Sequence, residues 1–93
     1  MVQKVILTMK LMAENPDVDL NIVYGQAESL IKNYTNTVEI KKEIEPVAFG
    51  IKALKVTFIM DESMGSPDDL EKQLGEVKGV QSVETIDVRR ALG

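Results

Sequence analysis

The apolar positions of the chain recur with two different periods, and the changes of period divide it into six predicted elements. Over residues 2–12 every second residue points to one apolar face, which is typical of a strand with one buried side. From Leu20 to Tyr34 the apolar residues recur at three- and four-residue spacing, as in an amphipathic helix. Asp17 or Asp19 is its expected N-cap. The chain therefore opens with a strand and a helix.

The next two periodic segments are both predicted strands. Residues 37–48 alternate between apolar and charged side chains and include Pro46. This composition favours an edge strand, because an edge tolerates a missing N–H donor and its charges discourage aggregation. Residues 51–60 carry apolar side chains on both faces, which predicts a central strand. Only Phe49 and Gly50 separate the two strands, so we expect a tight hairpin.

A second helix and a fourth strand complete the pattern. Residues 66–69, Ser-Pro-Asp-Asp, predict a helix start with Ser66 as N-cap, proline in the first turn and two acids at the positive end of the helix dipole. Gly79 is the expected end of this helix. A strand is predicted over residues 80–88, with a bulge near Ser82 and Val83, where the alternation changes phase.

The order strand, helix, strand, strand, helix, strand predicts an α+β fold of ferredoxin-like βαββαβ topology. In this sandwich a four-stranded antiparallel sheet has its first and third strands at the centre and carries both helices on one face. With 93 residues the chain can form one modest core, so we expect a single domain over residues 1–93.

The composition excludes several classes of chemistry. The chain has no cysteine and no histidine, so thiolate and imidazole catalysis, disulfides and histidine metal ligands are excluded. Its 15 acidic and 11 basic side chains give a net charge of −4, which argues against direct nucleic-acid binding. No apolar run approaches the length of a membrane span, and the start does not resemble a signal peptide. We therefore expect a cytoplasmic protein without a membrane segment and predict no cofactor. The chemistry left open is that of carboxylate, lysine, arginine and hydroxyl groups, or no covalent chemistry at all.

Four acids, Asp61, Glu62, Asp68 and Asp69, are expected near one end of the molecule and could suggest a divalent-metal site. The helix dipole accounts for Asp68 and Asp69, and solvation of a loop accounts for the other two. No metal site is therefore predicted.

Two features are not explained by the fold alone. Phe49 is predicted at a hairpin tip, where its ring is either exposed or folded back under the hairpin. Arg89 and Arg90 form the only adjacent arginine pair of an acidic chain and are either a functional pair or a solvated tail. The ferredoxin-like fold decides neither question, because it hosts many unrelated functions. One function open to such a fold is a small regulatory or ligand-binding module that dimerises and controls a partner enzyme.

Residues 46–55, Pro-Val-Ala-Phe-Gly-Ile-Lys-Ala-Leu-Lys, resemble the proline-led "P-x-x-[FY]-G-I-K-x-L" segment of the guanine-nucleotide-exchange domain of translation elongation factor 1-beta. The Asp68-Asp69-Leu70 helix start and the strand over residues 80–83 follow in the order and spacing of that family. The resemblance covers essentially the whole chain and is strongest to the short archaeal form.

The resemblance implies a guanine nucleotide exchange factor that promotes GDP release from the GTPase elongation factor 1-alpha during translation elongation and makes no covalent bond. It implies that Phe49, Gly50 and Lys52 contact the GTPase, since the aromatic of the Phe-Gly turn does so in the family. It also implies that a C-terminal basic residue, Arg89 or Arg90, acts near the magnesium and phosphate site. We expect the free protein to be a monomer.

Overall fold

Four strands, two α-helices and one 3₁₀ turn make up the part of the chain that the computed structural model describes, residues 3–36, 39–64 and 67–91. In chain order they are β1 (Lys4–Ala13), α1 (Leu20–Thr35), β2 (Ile40–Ala48), β3 (Ile51–Asp61), the 3₁₀ turn (Glu62–Met64), α2 (Asp68–Gly75) and β4 (Val80–Arg90). Neither helix in these residues is long and apolar enough to cross a bilayer.

The four strands form one antiparallel sheet in the order β2-β3-β1-β4. The predicted ferredoxin-like fold is confirmed, with the first and third strands at the centre and the charged second strand at an edge. Because β3 and β4 both run antiparallel to β1, they end at the same end of the sheet. This arrangement brings the residues that follow β3 close to the last residues of β4.

The core lies between one face of the sheet and both helices. The alternating apolar residues of β1 and β3 pack there as predicted, with Leu7 opposite Phe58 and both side chains buried. Asp19 is the N-cap of α1, and its side chain accepts a hydrogen bond of 2.9 Å from the backbone N–H of Asn21. Each helix buries one stripe, consisting of Leu20, Val23, Ala27 and Ile31 in α1 and Leu70 and Leu74 in α2.

Lys42 interrupts the apolar side of β2, and its contacts with α1 explain why. Its Nζ lies 4.6 Å from the centre of the Tyr24 ring, within the range of a cation–π interaction. The Tyr24 hydroxyl donates a hydrogen bond of 3.0 Å to Glu28. Desolvation first, and then the contact with Glu28, raises the pKa of Tyr24 above its ordinary value. The contact with the Tyr24 ring therefore explains why a lysine occupies a position on the apolar side of β2.

The second half of the chain differs from the sequence prediction in four places. Helix α2 ends at Gly75, whereas Gly79, with φ +96°, lies in the connection immediately before β4. Pro67 is the N-cap residue of α2 and not part of its first turn, and the predicted cap Ser66 lies outside the described residues. The register of β4 shifts at Gln81, beside the predicted bulge, and again at Ile86, where no bulge was predicted.

The fourth difference concerns the end of β4. The strand continues through Arg90, whereas the sequence predicted that it stops at Val88. Arg89 pairs with Ile6 and Arg90 pairs with Val5, so both arginines belong to the sheet. Pairing with β1 extends the strand, because the β1 backbone offers hydrogen-bonding groups to these residues whatever side chains they carry.

Candidate functional site

The hairpin between β2 and β3 presents Phe49 at its tip. Both residues of the two-residue loop have positive φ, +54° at Phe49 and +79° at Gly50, which is the pattern of a type I′ turn. The Phe49 side chain is 97% exposed, so the ring is not folded back under the hairpin. The ring therefore gains no burial from folding, and its backbone conformation is one that a bulky residue rarely adopts.

The hairpin tip is held in place by a neighbouring loop and by a bulge in β2. A side chain added at Gly50 would begin 3.6 Å from the Cβ and Cγ atoms of Pro16, so the turn lies against the loop between β1 and α1. Val47 is an extra residue in β2, because Pro46 pairs with Lys52 and Ala48 pairs with Ile51. The hairpin tip is therefore supported from the side by a proline ring, and sequence reasoning did not identify this role of Pro16.

Lys52 lies at the base of the same hairpin, opposite Pro46. Its side chain is exposed, and it forms no ion pair with any residue in the described ranges. Lys55 of the same strand, by contrast, forms an ion pair on the open face of the sheet, the face that carries no helix. Its Nζ lies 3.7 Å from Oε2 of Glu45. The structure thus brings together three of the predicted site residues, Phe49, Gly50 and Lys52, at one end of the molecule.

Arg89 and Arg90 project from opposite faces of β4. Arg89 pairs with Ile6 on the open face of the sheet, whereas Arg90 pairs with Val5, which packs against the core under the helices. This follows from the alternation of side chains along a strand. The two arginines therefore cannot occupy the same position on a partner.

Each arginine has a carboxylate partner. Nε of Arg89 donates to Oδ2 of Asp87, two residues earlier in the same strand, at 2.8 Å. Nη2 of Arg90 donates to Oε1 of Glu62, in the 3₁₀ turn that follows β3, at 3.0 Å. Sequence reasoning treated Glu62 as a solvated loop residue. The signal that could have identified it is topological: β3 and β4 end at the same end of the sheet, so opposite charges at these two strand ends meet.

The hairpin tip and the arginine pair lie at opposite ends of the sheet. Arg90 is level with Met60, since both pair with Val5, whereas Phe49 precedes Ile51 at the other end of β3. At about 3.3 Å per residue, the intervening nine residues of β3 separate the two groups by about 30 Å. The structure therefore does not bring the predicted site residues together into one pocket.

The four acids considered as a metal site have other structural roles. Asp61 lies 3.2 Å from the Lys4 Nζ, at ion-pair distance, and Glu62 binds Arg90. Asp68 and Asp69 lie in the first turn of α2. Among the described residues no group of three carboxylates has an arrangement that could hold a metal ion.

The open face of the sheet holds a shallow hollow of about 390 Å³ lined by polar residues. Thr8 and Thr57 lie at its floor and hydrogen-bond to each other at 3.0 Å, and lysines of β2 and β3 surround them. Small-molecule sites are mostly apolar and concave. This hollow therefore gives little support to the alternative of a ligand-binding regulatory module.

Comparison with known proteins identifies similar sequences over nearly the whole chain. Residues 6–91 match the family described as the EF-1 guanine nucleotide exchange domain. A protein named elongation factor 1-beta from Methanothermobacter thermautotrophicus is 35% identical over 88 residues, which is 95% of this chain and 97% of that protein. The protein of the same name from Methanobrevibacter smithii is 33% identical over 89 residues, covering 96% and 98% of the two chains.

The fold also matches a solved structure without close sequence similarity. The de novo designed protein Foldit4 superposes with a TM-score of 0.62 over 97% of this chain and 98% of its own, at 14% sequence identity. At this level of identity the match concerns the fold alone.

Proposed function

Because this chain belongs to the EF-1 guanine nucleotide exchange domain family and acts as a guanine nucleotide exchange factor for elongation factor 1-alpha, we propose that it engages this GTPase through both ends of its sheet. The Phe49 turn, with Gly50 and Lys52, anchors it on the GTPase. One arginine at the end of β4, Arg89 or Arg90, acts beside the bound nucleotide. This division assigns a separate task to each of the two exposed groups.

An exchange factor works by binding the nucleotide-free GTPase more tightly than the nucleotide-bound GTPase. A GTPase holds its nucleotide through a phosphate-binding loop, a magnesium ion and ordered switch segments. A protein that binds the nucleotide-free form more tightly weakens nucleotide binding by the same factor. A thousandfold change corresponds to about 4 kcal/mol. The exchange factor makes and breaks no covalent bond, so its surface contacts must supply this difference.

Phe49 is suited to be the anchor. Burying a phenylalanine ring that was fully exposed contributes roughly 1.5–3 kcal/mol of hydrophobic free energy. The ring costs the free protein no packing when it transfers to a partner, because it is 97% exposed beforehand. Lys52, which has no carboxylate partner in the described part of the chain, is positioned to meet an acidic residue next to the anchored ring.

The arginine pair is suited to weaken nucleotide binding. Both guanidinium groups lie at the sheet end away from Phe49 and are largely exposed. A cation that enters the magnesium and phosphate site competes with magnesium for the phosphate oxygens and repels the ion. Repulsion between cations is poorly screened in a cleft from which water is excluded. An arginine there therefore favours the state from which magnesium and nucleotide have left.

The distance between the two ends of the sheet constrains how the domain binds. The Phe49 ring and the guanidinium groups are about 30 Å apart. The long axis of the domain must therefore lie along the GTPase surface if both groups are to contact it. We propose further that the protein is cytoplasmic, as a factor in translation elongation must be, and that the free domain is a monomer. The edge strand β2 carries four charged residues and β4 has two bulges, and both features disfavour pairing of sheet edges.

The observation that carries this proposal is the fully exposed Phe49 on a left-handed backbone. Its test follows fluorescent GDP leaving elongation factor 1-alpha, with excess unlabelled GDP and increasing amounts of this protein. We expect a release rate that rises and saturates. For Phe49→Ala we expect the half-saturating concentration to rise about tenfold or more, because the hydrophobic contact is lost.

The matched control is Ile86→Ala, which removes an exposed aliphatic side chain of β4 beside Thr8 and Met9, midway between the two ends of the sheet. We expect its half-saturating concentration to stay within about twofold of the wild type. A rate that stays flat for the wild-type protein would contradict exchange activity. Equal half-saturation for wild type and Phe49→Ala would remove Phe49 from the interface and leave the exchange function standing.

A further inference from the structure

The contacts at the end of β4 distinguish the two arginines from each other. Arg89 is bound by Asp87 of its own strand, an acid two residues back on the same face. That ion pair draws the guanidinium along the open face, toward the interior of the sheet. Arg90 is bound by Glu62, which belongs to the turn where β3 leaves the sheet. That ion pair holds the guanidinium at the sheet end.

The backbone on both sides of the second pair is fixed. The N–H of Glu62 donates to the carbonyl oxygen of Gln3 at 2.8 Å, and the N–H of Ala91 donates to the carbonyl oxygen of Lys4 at 2.9 Å. The start of β1 therefore holds the acid on one side and the residue after Arg90 on the other. A side-chain pair between two anchored backbones has fewer alternative conformations than a pair between free side chains.

The pair leaves the arginine accessible. The Arg90 side chain is 69% exposed while its Nη2 is bound to Glu62, so one carboxylate restrains the guanidinium without covering it. An arginine carries five N–H donors in a rigid fork, and several stay available to phosphate oxygens when one is occupied. The guanidinium is thus oriented before a partner arrives.

We infer that Glu62 is a positioning residue for nucleotide exchange: it holds Arg90 at the end of the sheet, and Arg90, in preference to Arg89, is the cation that acts beside the nucleotide. This inference rests on the proposed function. The inference also predicts the direction in which the exchange rate changes when Glu62 is lost. If only net charge mattered, removing this negative charge would help Arg90 approach phosphate and would speed exchange. If Glu62 positions Arg90, removing it slows exchange.

The test measures the saturated rate of fluorescent GDP release from elongation factor 1-alpha for this chain and its variants. We expect Arg90→Ala to lower this rate by about tenfold or more. Glu62→Ala should lower it about three- to fivefold, the upper part of the range for losing one exposed arginine–carboxylate pair. Glu62→Gln, which retains an acceptor oxygen, should fall between Glu62→Ala and wild type. The half-saturating concentration should change little, because Phe49 is intact.

Asp87→Ala is the matched control, since it removes an equal charge that binds Arg89 in the same strand. We expect its saturated rate to stay within about twofold of wild type. A double variant, Glu62→Ala with Arg90→Ala, should be no slower than Arg90→Ala alone, because Glu62 acts only through that arginine. A role in stability alone would make the double variant slower or less folded, so circular dichroism and thermal unfolding accompany each rate.

Three results would overturn the inference. One is a Glu62→Ala rate equal to or above that of the wild type, with Glu62→Gln giving the same answer if the alanine variant is unstable. Another is a further loss when Glu62→Ala is added to Arg90→Ala. The last is a larger loss from Asp87→Ala and Arg89→Ala than from the Glu62 and Arg90 variants. A wild-type protein that fails to accelerate GDP release would overturn the proposed function itself, which separates the two failures.

Discussion

At the scale of single residues, Phe49 combines two features that the folded chain does not need. Its φ of +54° lies in the left-handed region, which asparagine and glycine adopt far more readily than phenylalanine. Its ring gains nothing from folding, because it remains in water. A type I′ turn of sequence Asn-Gly would close the same hairpin with less strain. The ring is therefore best explained by a contact made outside this chain.

Phe49→Asn should separate stability from function. We expect the free energy of unfolding to rise by about 0.5–1 kcal/mol, because asparagine relieves part of the cost of a left-handed residue. Urea unfolding monitored by circular dichroism measures this change. In the exchange assay the same variant should need at least about ten times more protein for half-saturation.

Phe49→Ala provides the comparison for that prediction. Alanine removes the ring and keeps the left-handed strain, so its stability should stay within about 0.5 kcal/mol of wild type while its docking is also weakened. A less stable asparagine variant would show that the ring supports the hairpin in a way that its exposure does not reveal.

At the scale of elements, α1 combines strong packing with one weak position. Its buried stripe and the Lys42–Tyr24 contact hold it on the sheet. Gly25 lies in the middle of the helix on its exposed side, and a side chain added there would meet nothing within 4 Å. Glycine in a helix interior is destabilising mainly because it has more conformational freedom to lose on folding.

Gly25→Ala should therefore stabilise the protein by about 0.5–1 kcal/mol, measured as a shift of the urea midpoint without a change of slope. Exchange activity should stay unchanged, because the position is remote from both ends of the sheet. Gly79→Ala is the contrasting substitution. Its φ of +96° and a Val18 methyl carbon at 3.0 Å from the added atom predict a loss of stability. A stabilising Gly79→Ala would disagree with this account.

At the scale of the whole molecule, the sheet acts as a spacer between two contact groups. β3 is a central strand, paired on both sides along almost all its length, and it joins the Phe49 turn to the Glu62–Arg90 pair. A closely packed sheet transmits little change from one end to the other unless it has a second stable arrangement. The two ends should then contribute independently to exchange.

Phe49→Ala and Arg90→Ala should accordingly have multiplicative effects on the second-order rate constant of GDP release. Sites more than about 10 Å apart with no shared partner usually add within about 0.5 kcal/mol. The measurement is a double-mutant cycle at protein concentrations below saturation. Glu62→Ala with Arg90→Ala serves as the reference for a coupled pair. A combined loss much smaller than the product would show that the two ends are not independent.

The sequence by itself determined the element types, the order of the elements and the position of the hairpin, because apolar period and turn residues act over a few neighbouring positions. It thereby indicated the ferredoxin-like sheet with β1 and β3 at its centre, and it identified Phe49 and the arginine pair as unexplained residues. Its errors were at the ends of elements: α2 stops at Gly75 and β4 continues through Arg90, since pairing and packing partners elsewhere in the chain set those limits.

Only the tertiary structure decided how the candidate residues are arranged in space. It exposed the Phe49 ring, brought Pro16 against its turn, paired Arg89 and Arg90 with the start of β1 and joined Arg90 to Glu62. It also placed the hairpin and the arginines at opposite ends. Each of these facts joins positions far apart along the chain, and periodicity, which relates only near neighbours, carries no information about such pairs. Strand register and the direction of the strands fix them.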